Sequence, residues 1–186
     1  VDGTLKWENT HESEVECITF SPNSKYVASG GEDYKLNVWD SDSGELLHSL
    51  EHKTSLDGLT WSNDGKLIAT GTEDGTLYFW DAAAFKLVKT LKVGSTINSL
   101  QFTNDDKQLV VGGNYQNPDP KTGNTVYTGF AKLIDVQKGM VIREYGGNSA
   151  SVKSVRIAKN EKWVGTGSFD KTARIFDLET GGLMHK

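Results

Sequence analysis

The stretch YVASGGEDYKLNVWD at residues 26–40 and the stretch LIATGTEDGTLYFWD at residues 67–81 carry the same order of residue types, 41 positions apart. Each opens on a short apolar run, passes through Ser or Thr and Gly into an acidic turn, and closes a second apolar run with Trp-Asp. Runs of four to six residues rich in β-branched and aromatic side chains, cut by turn residues, read as strands rather than helices. Working outward, Ile134-Asp135 and Phe176-Asp177 close two further runs, so the closing Asp positions are separated by 41, 54 and 42 residues. Phe20, Trp61, Phe102 and Ile157, each ending the run before a polar turn, repeat at 41, 41 and 55.

A period near 40 built from four short strands is the spacing of a β-propeller blade. In the first unit the strands are expected at Val15–Phe20 (a), Tyr26–Gly30 (b), Leu36–Trp39 (c) and Leu46–Leu50 (d). Gly30, Gly71, Gly112 and Gly167 stay in register, so the 13 extra residues of the third unit fall between Gly112 and Asp135. Asn114, Asn117, Pro118, Pro120, Gly123 and Asn124 in that stretch favour a turn-rich excursion over extended strand. Gly3, Gly44, Gly139 and Gly181 share one turn position, which assigns Leu5 to Asn9 to the outer strand of a preceding blade. The chain divides accordingly: 1–10, an outer strand of a preceding blade; 11–51, blade one; 52–92, blade two; 93–146, blade three with a b–c loop insertion near 113–129; and 147–186, blade four with an incomplete outer strand. A start at Val1 suggests part of something longer.

Composition narrows the function classes. The 186 residues are 36% hydrophobic and 24% charged, as in an ordinary globular chain. A formal charge of −5 argues against direct nucleic-acid contact, which draws on a basic excess. Cys17 is the single cysteine, so no internal disulfide forms, and no Cys/His cluster has metal-site spacing. No run of 18 apolar residues or leader-like segment marks a membrane protein. The localisation is not fixed by the sequence; a soluble intracellular setting, cytoplasmic or nuclear, is the expectation.

These units resemble the WD-repeat family, whose pattern is a His in the d–a loop, a Ser or Thr on strand b, an Asp in the b–c turn and a Trp on strand c. Unit one supplies His11, Ser29, Asp33 and Trp39, and unit two His52, Thr70, Asp74 and Trp80. Unit four keeps Thr166 and Asp170 with Phe176 for Trp, and unit three has Val111 at the hydroxyl position and none of the other three. The resemblance implies an all-β propeller of about four blades within a larger ring of about seven. Edges left open call for the remaining blades of the same propeller, or for a second copy that completes one ring from two four-blade halves.

His, Ser or Thr, and Asp in one unit also suggest a hydrolytic triad. The structural reading is preferred, because a buried indole N–H and imidazole each need a partner and two copies suit a scaffold better than an enzyme. Asp33 and Asp74 are thus expected as buried acceptors for His11 and His52. Cys17 reads as a small filler, and the glycines of Ser29-Gly30-Gly31 and Thr70-Gly71-Thr72 as turn chemistry. No catalytic residue, cofactor or metal is assigned. The expected function is a non-catalytic protein–protein interaction scaffold, against the alternative of a propeller enzyme or regulatory domain with a site over the central channel. The resemblance implies that partners dock on the rim of the d–a and b–c loops. There Glu12, Glu14, Glu32 and Glu73, with Tyr34 and Phe169 as apolar anchors, are the candidate contacts for a basic protein or peptide.

Overall fold

The computed structural model describes residues 3–186. Sixteen strands form four sheets of four. The first sheet is β1 (Val15–Phe20), β2 (Tyr26–Gly31), β3 (Lys35–Asp40) and β4 (Leu46–Glu51), the second β5 (Leu56–Trp61), β6 (Leu67–Thr72), β7 (Thr76–Asp81) and β8 (Lys86–Lys92). The third is β9 (Thr96–Phe102), β10 (Gln108–Pro118), β11 (Thr125–Asp135) and β12 (Met140–Tyr145), the fourth β13 (Val152–Ile157), β14 (Trp163–Ser168), β15 (Ala173–Asp177) and β16 (Leu183–His185). Every pairing is between chain neighbours and antiparallel, so each sheet is a meander of a, b, c and d strands, as a propeller blade requires. The inner strands β1, β5, β9 and β13 stand side by side and line one cavity of about 330 Å³. No helix of the described residues is long and apolar enough to cross a membrane.

The core lies between sheets. Leu56 and Trp61 of β5 pack on Ala28, Leu36 and Val38 of the first sheet, and Ile97, Leu100 and Phe102 of β9 on Ala69, Leu77 and Phe79 of the second. Val152, Val155 and Ile157 of β13 meet Val110, Ala131 and Leu133 of the third. The in-register glycines make this approach possible. A Cβ on Gly30 would stand 2.9 Å from Leu56 Cδ2, one on Gly71 2.2 Å from Ile97 Cγ2, and one on Gly112 2.5 Å from Val155 Cγ1. These glycines keep negative φ and are contact points between blades, which corrects their reading as turn residues. Turn chemistry falls instead on Gly44, Gly139 and Gly181 and on Phe85 in the equivalent place, all with positive φ.

Among the described residues, two sheet faces lack a neighbour. Val15, Ile18 and Phe20 of β1 repeat the positions of Leu56, Leu59 and Trp61, yet Ile18 and Phe20 are 66% and 63% exposed. At the other end Gly165, Ala173 and Ile175 repeat the positions of Ala28, Leu36 and Val38 without being buried.

Two expectations change. The insertion is no loop: β10 and β11 pair without interruption from Gln108↔Asp135 to Pro118↔Thr125, forming a hairpin of two eleven-residue strands. Extended backbone suits Thr125-Val126-Tyr127-Thr128, while Pro118 ends β10 and Pro120 and Gly123 lie in the tip, where Gly123 N–H donates to Asp119 O at 2.8 Å. The segment assigned to the outer strand of a preceding blade forms no strand over residues 3–14, because the described chain supplies no c strand to pair with it; residues 1 and 2 lie outside the described residues. It lies against the c–d turn of the first sheet: Trp7 Nε1–H donates to Ser41 O at 3.0 Å, and Lys6 pairs with Asp42 at 2.6 Å. His48 on the ring of Phe85, Lys89 on the Val136 carbonyl and Arg143 on the Leu178 carbonyl occupy the same place on later turns.

Gly71→Ala should cost about 1–3 kcal/mol, because the new methyl overlaps Ile97. Gly167→Ala, whose nearest neighbour is its own sheet's Ser154 at 3.9 Å, should cost well under half of that; urea unfolding of the two variants compares them directly. Equal losses would contradict the account of the glycines.

Candidate functional site

The family pattern assembles on the rim of the d–a and b–c loops. In the first sheet His11 Nδ1–H donates to Asp33 Oδ2 at 2.8 Å, His11 Nε2 lies 2.7 Å from Ser29 Oγ, and Trp39 Nε1–H donates to Ser29 Oγ at 2.8 Å. Asp33 also caps its turn, Oδ1 accepting from Lys35 N–H at 3.1 Å. Burial pushes the Asp33 carboxyl up, but the Lys35 N–H and His11 outweigh it and hold it below the ordinary range. Ser29 is buried with its oxygen occupied by the indole, which suits a structural strut better than a nucleophile.

The second sheet departs from the expected chain. His52 Nε2 meets Thr70 Oγ1 at 2.8 Å and Trp80 Nε1–H reaches the same oxygen at 3.2 Å, but His52 Nδ1 lies 3.3 Å from Leu50 O rather than on Asp74. A carbonyl only accepts, so Nδ1 carries the proton and Nε2 accepts from the Thr70 hydroxyl. Burial pushes the imidazole down to about 4, and it is neutral at pH 7. Asp74 instead accepts from Thr72 Oγ1 at 2.7 Å and Thr76 N–H at 3.0 Å and lies 3.6 Å from Lys92 Nζ. The position three before the closing Asp accounts for the difference. Asn37 brings an amide within 3.5 Å of both His11 nitrogens, whereas Tyr78 stands edge-on to His52 at 4.7 Å, a bulkier neighbour about which the imidazole is turned.

The same position holds the residues that sequence reasoning missed. Arg174 of the fourth sheet is buried, with Nη1 2.8 Å from both Asp170 Oδ2 and Asn148 Oδ1, and Asn148 lies 3.4 Å from Thr166 Oγ1. The Thr172 hydroxyl and Arg174 hold the Asp170 carboxyl far below its ordinary range, against burial. Asn148 precedes Thr166 by 18 residues, as His11 precedes Ser29, so spacing alone could have revealed it. In the third sheet Lys132 is buried, donates to Val93 O at 2.6 Å and stands 4.8 Å from the ring centres of Tyr115 and Phe130.

Of the candidate partner contacts, Glu14 and Glu32 come together, bridged by Ser13 Oγ at 3.0 and 3.5 Å. The hydrogen bond with Glu14, and then its charge, raises the Glu32 carboxyl, while Glu14 is correspondingly lowered. Glu73 lies close enough to Asp57 to raise that carboxyl, after burial, and Glu16 adds to it. Glu12 is set apart, paired with Lys35 at 2.9 Å. Tyr34 is exposed on the β2–β3 turn, while Phe169 belongs to the β14–β15 turn, two sheets beyond the second, and serves a different part of the rim. Cys17 sits between sheets, its thiol near Gly30 O and Leu56 O at 3.5 Å and pushed up to about 12 by burial and then by Asp57. Among the described residues no group of three or more His, Cys, Asp or Glu could hold a metal ion.

Asp33→Ala should leave the His11 N–H unpaired and cost about 1–3 kcal/mol, whereas Asp74→Ala, which loses a partly exposed turn cap, should cost less than about 1 kcal/mol. Denaturant midpoints will show whether the two differ in that order. His52 supplies a pH dependence. Its folded pKa of about 4 lies below the unfolded value of 6.5, so the unfolded chain binds the extra proton between them and stability falls as pH drops through that window. The loss should approach about 3 kcal/mol by pH 4, and His52→Gln should remove that part of the slope. Identical pH slopes for parent and variant would refute it.

The family profile described as "WD domain, G-beta repeat" matches residues 3–40, 44–81 and 139–177, more than half of the chain. Two curated proteins are similar over single stretches: the WD40 repeat-containing protein smu1 of Dictyostelium discoideum, 42% identical over 50 residues, and the nuclear distribution protein PAC1-1 of Uncinocarpus reesii, 38% identical over 42. Those stretches are 27% and 23% of this chain and 9% of the length of each relative. The matched windows begin at Gly3, Gly44 and Gly139 and end on the closing residues Asp40, Asp81 and Asp177 of the c strands. The chain belongs to the WD40 repeat family.

Proposed function

We propose that the chain is a non-catalytic scaffold, part of a larger WD-repeat ring, that holds a protein partner on the rim of its d–a and b–c loops. Repeats of this family generally mediate protein–protein interaction. The observation that carries the finer reading is the cluster of carboxylates on the first two sheets. Glu14 and Glu32 lie against one another with a serine between them, and Glu16, Asp57 and Glu73 add to the same field. Carboxylates held that close favour a cationic ligand, so a Lys- or Arg-bearing segment is the partner chemistry we assign to this sector. Tyr34 offers it an apolar contact at the edge.

In this reading the exposed faces of β1 and β15 are covered by the remaining blades of the same propeller, since their residues repeat those buried between sheets elsewhere. Residues 3–10 then occupy the place of a preceding blade's outer strand. A second copy completing the ring would leave the rim chemistry unchanged.

Charge reversal tests the assignment. The variant Glu14→Lys/Glu32→Lys/Glu73→Lys should bind a lysine-rich peptide at least about tenfold more weakly and with a flatter salt dependence, at an unchanged melting temperature. Unaltered affinity in a folded triple variant would move the binding surface elsewhere.

A further inference from the structure

The β10–β11 hairpin does more than lengthen the third sheet. Between it and the fourth sheet opens a groove of about 480 Å³, lined by Asn114, Tyr127, Ala150, Ser151, Lys153 and Phe169. Tyr127 and Phe169 leave 50% and 66% of their surface open, an apolar exposure for which the blade architecture itself has no use. Lys153 is the charged group of the groove. Its Nζ stands 5.3 Å over the Phe169 ring and donates to the neutral Asn98 Oδ1 at 3.2 Å; among the described residues no carboxylate pairs with it, and Asp57 senses its charge from a distance. Asn114 is 5% exposed, its Oδ1 accepting from Ser151 Oγ at 3.0 Å while its buried Nδ2 has no partner among the described residues.

An ammonium with no carboxylate partner among the described residues, over one open aromatic ring and in a groove lined by a second, complements a carboxylate beside an apolar side chain. We propose that this groove binds a short acidic–apolar segment of a partner protein, its Asp or Glu on Lys153 and the adjoining Leu or aromatic side chain between Tyr127 and Phe169. The site is opposite in sign to the Glu14 and Glu32 sector. It rests on the reading of this rim as the partner face, but on different residues, so the two can fail separately. Aromatic side chains are the usual anchors of such contacts.

The test is an NMR titration of the protein with capped heptapeptides that place Glu next to Leu, Phe or Trp, against the same peptides with Lys for Glu. The expected result is saturable amide shifts at Tyr127, Ser151, Lys153 and Phe169 with the Glu peptides alone. Lys153→Glu should weaken that binding about tenfold and confer binding of the Lys peptides, and Phe169→Ala should weaken it about as much, with melting temperatures unchanged. Binding of a lysine-rich peptide to the Glu14 sector should survive both substitutions. The proposal is overturned if no Glu peptide shifts these amides at millimolar concentration, if shifts cluster instead on Glu14, Glu32 and Glu73, or if Lys153→Glu binds the Glu peptides as the parent does.

Discussion

The second, third and fourth blades of this protein depend on one contact, the apolar face of each inner strand taken out of water by the sheet before it. Leu56, Ile97 and Val152 are fully buried, and each is seated against the preceding sheet, close by Gly30, Gly71 and Gly112 in turn. The absence of a Cβ at those glycines lets backbone and side chain approach to distances that even alanine would forbid. Apolar burial contributes roughly 1.5–3 kcal/mol per large side chain. A four-stranded sheet standing alone would forgo that on both faces, so the blades are stable only as a series. The same contact fixes the orientation of the loops, because the turns at each sheet's ends are carried by strands locked to their neighbours.

The period made the fold and the strand limits of the first sheet legible before any coordinates, since four strands and their turns recur with the same spacing of Gly, Asp and aromatic residues. What depended on contacts between units was not legible. Nothing in Ser29-Gly30-Gly31 distinguishes a glycine needed for a turn from one needed for the leucine of the next sheet. Composition misled at residues 113–129, where Pro and Asn outweighed the alternation of Thr125-Val126-Tyr127-Thr128, although the Pro and Gly are confined to the tip and its approach. Equivalence of position also misled for Asp74, because the imidazole beside it has a carbonyl as an alternative acceptor and a tyrosine as a neighbour. Asn148 and Arg174 were missed because they do not carry the family's residue types, although their spacing does.

The four units show that the family pattern is one solution to a more general requirement, that a buried imidazole or charge at the rim have a partner. In the first sheet a carboxylate serves the imidazole. In the second a backbone carbonyl does, leaving Asp74 to its turn and a neighbouring lysine. In the third the lysine Lys132 is satisfied by the Val93 carbonyl and two aromatic faces, one of them supplied by Tyr115 at the root of the long hairpin. In the fourth a buried Arg174–Asp170 pair is completed by Asn148, and both charges are hydrogen-bonded as the cost of burying them demands. Strands β9, β10 and β11 of the third sheet lie outside the windows that match the family profile, yet that sheet is as regular as the others.

These substitutions have a consequence for function, since the struts that anchor the loops also set what the loops can present. On the first sheet the anchoring Asp33 carboxylate is buried, on the second Asp74 caps its turn, and the acids beside them, Glu32 and Glu73, are exposed on the same turns. In the third and fourth sheets the buried cations Lys132 and Arg174 hold the loops, while Lys153 and Phe169 are left exposed above them. The supports thus differ in charge between the first sheet and the last two. In the proposed reading, a partner that crosses the rim meets carboxylates at one end and an ammonium beside aromatic rings at the other. That asymmetry fixes the direction in which a segment carrying both charges can lie, because reversing it places like charges together at both ends.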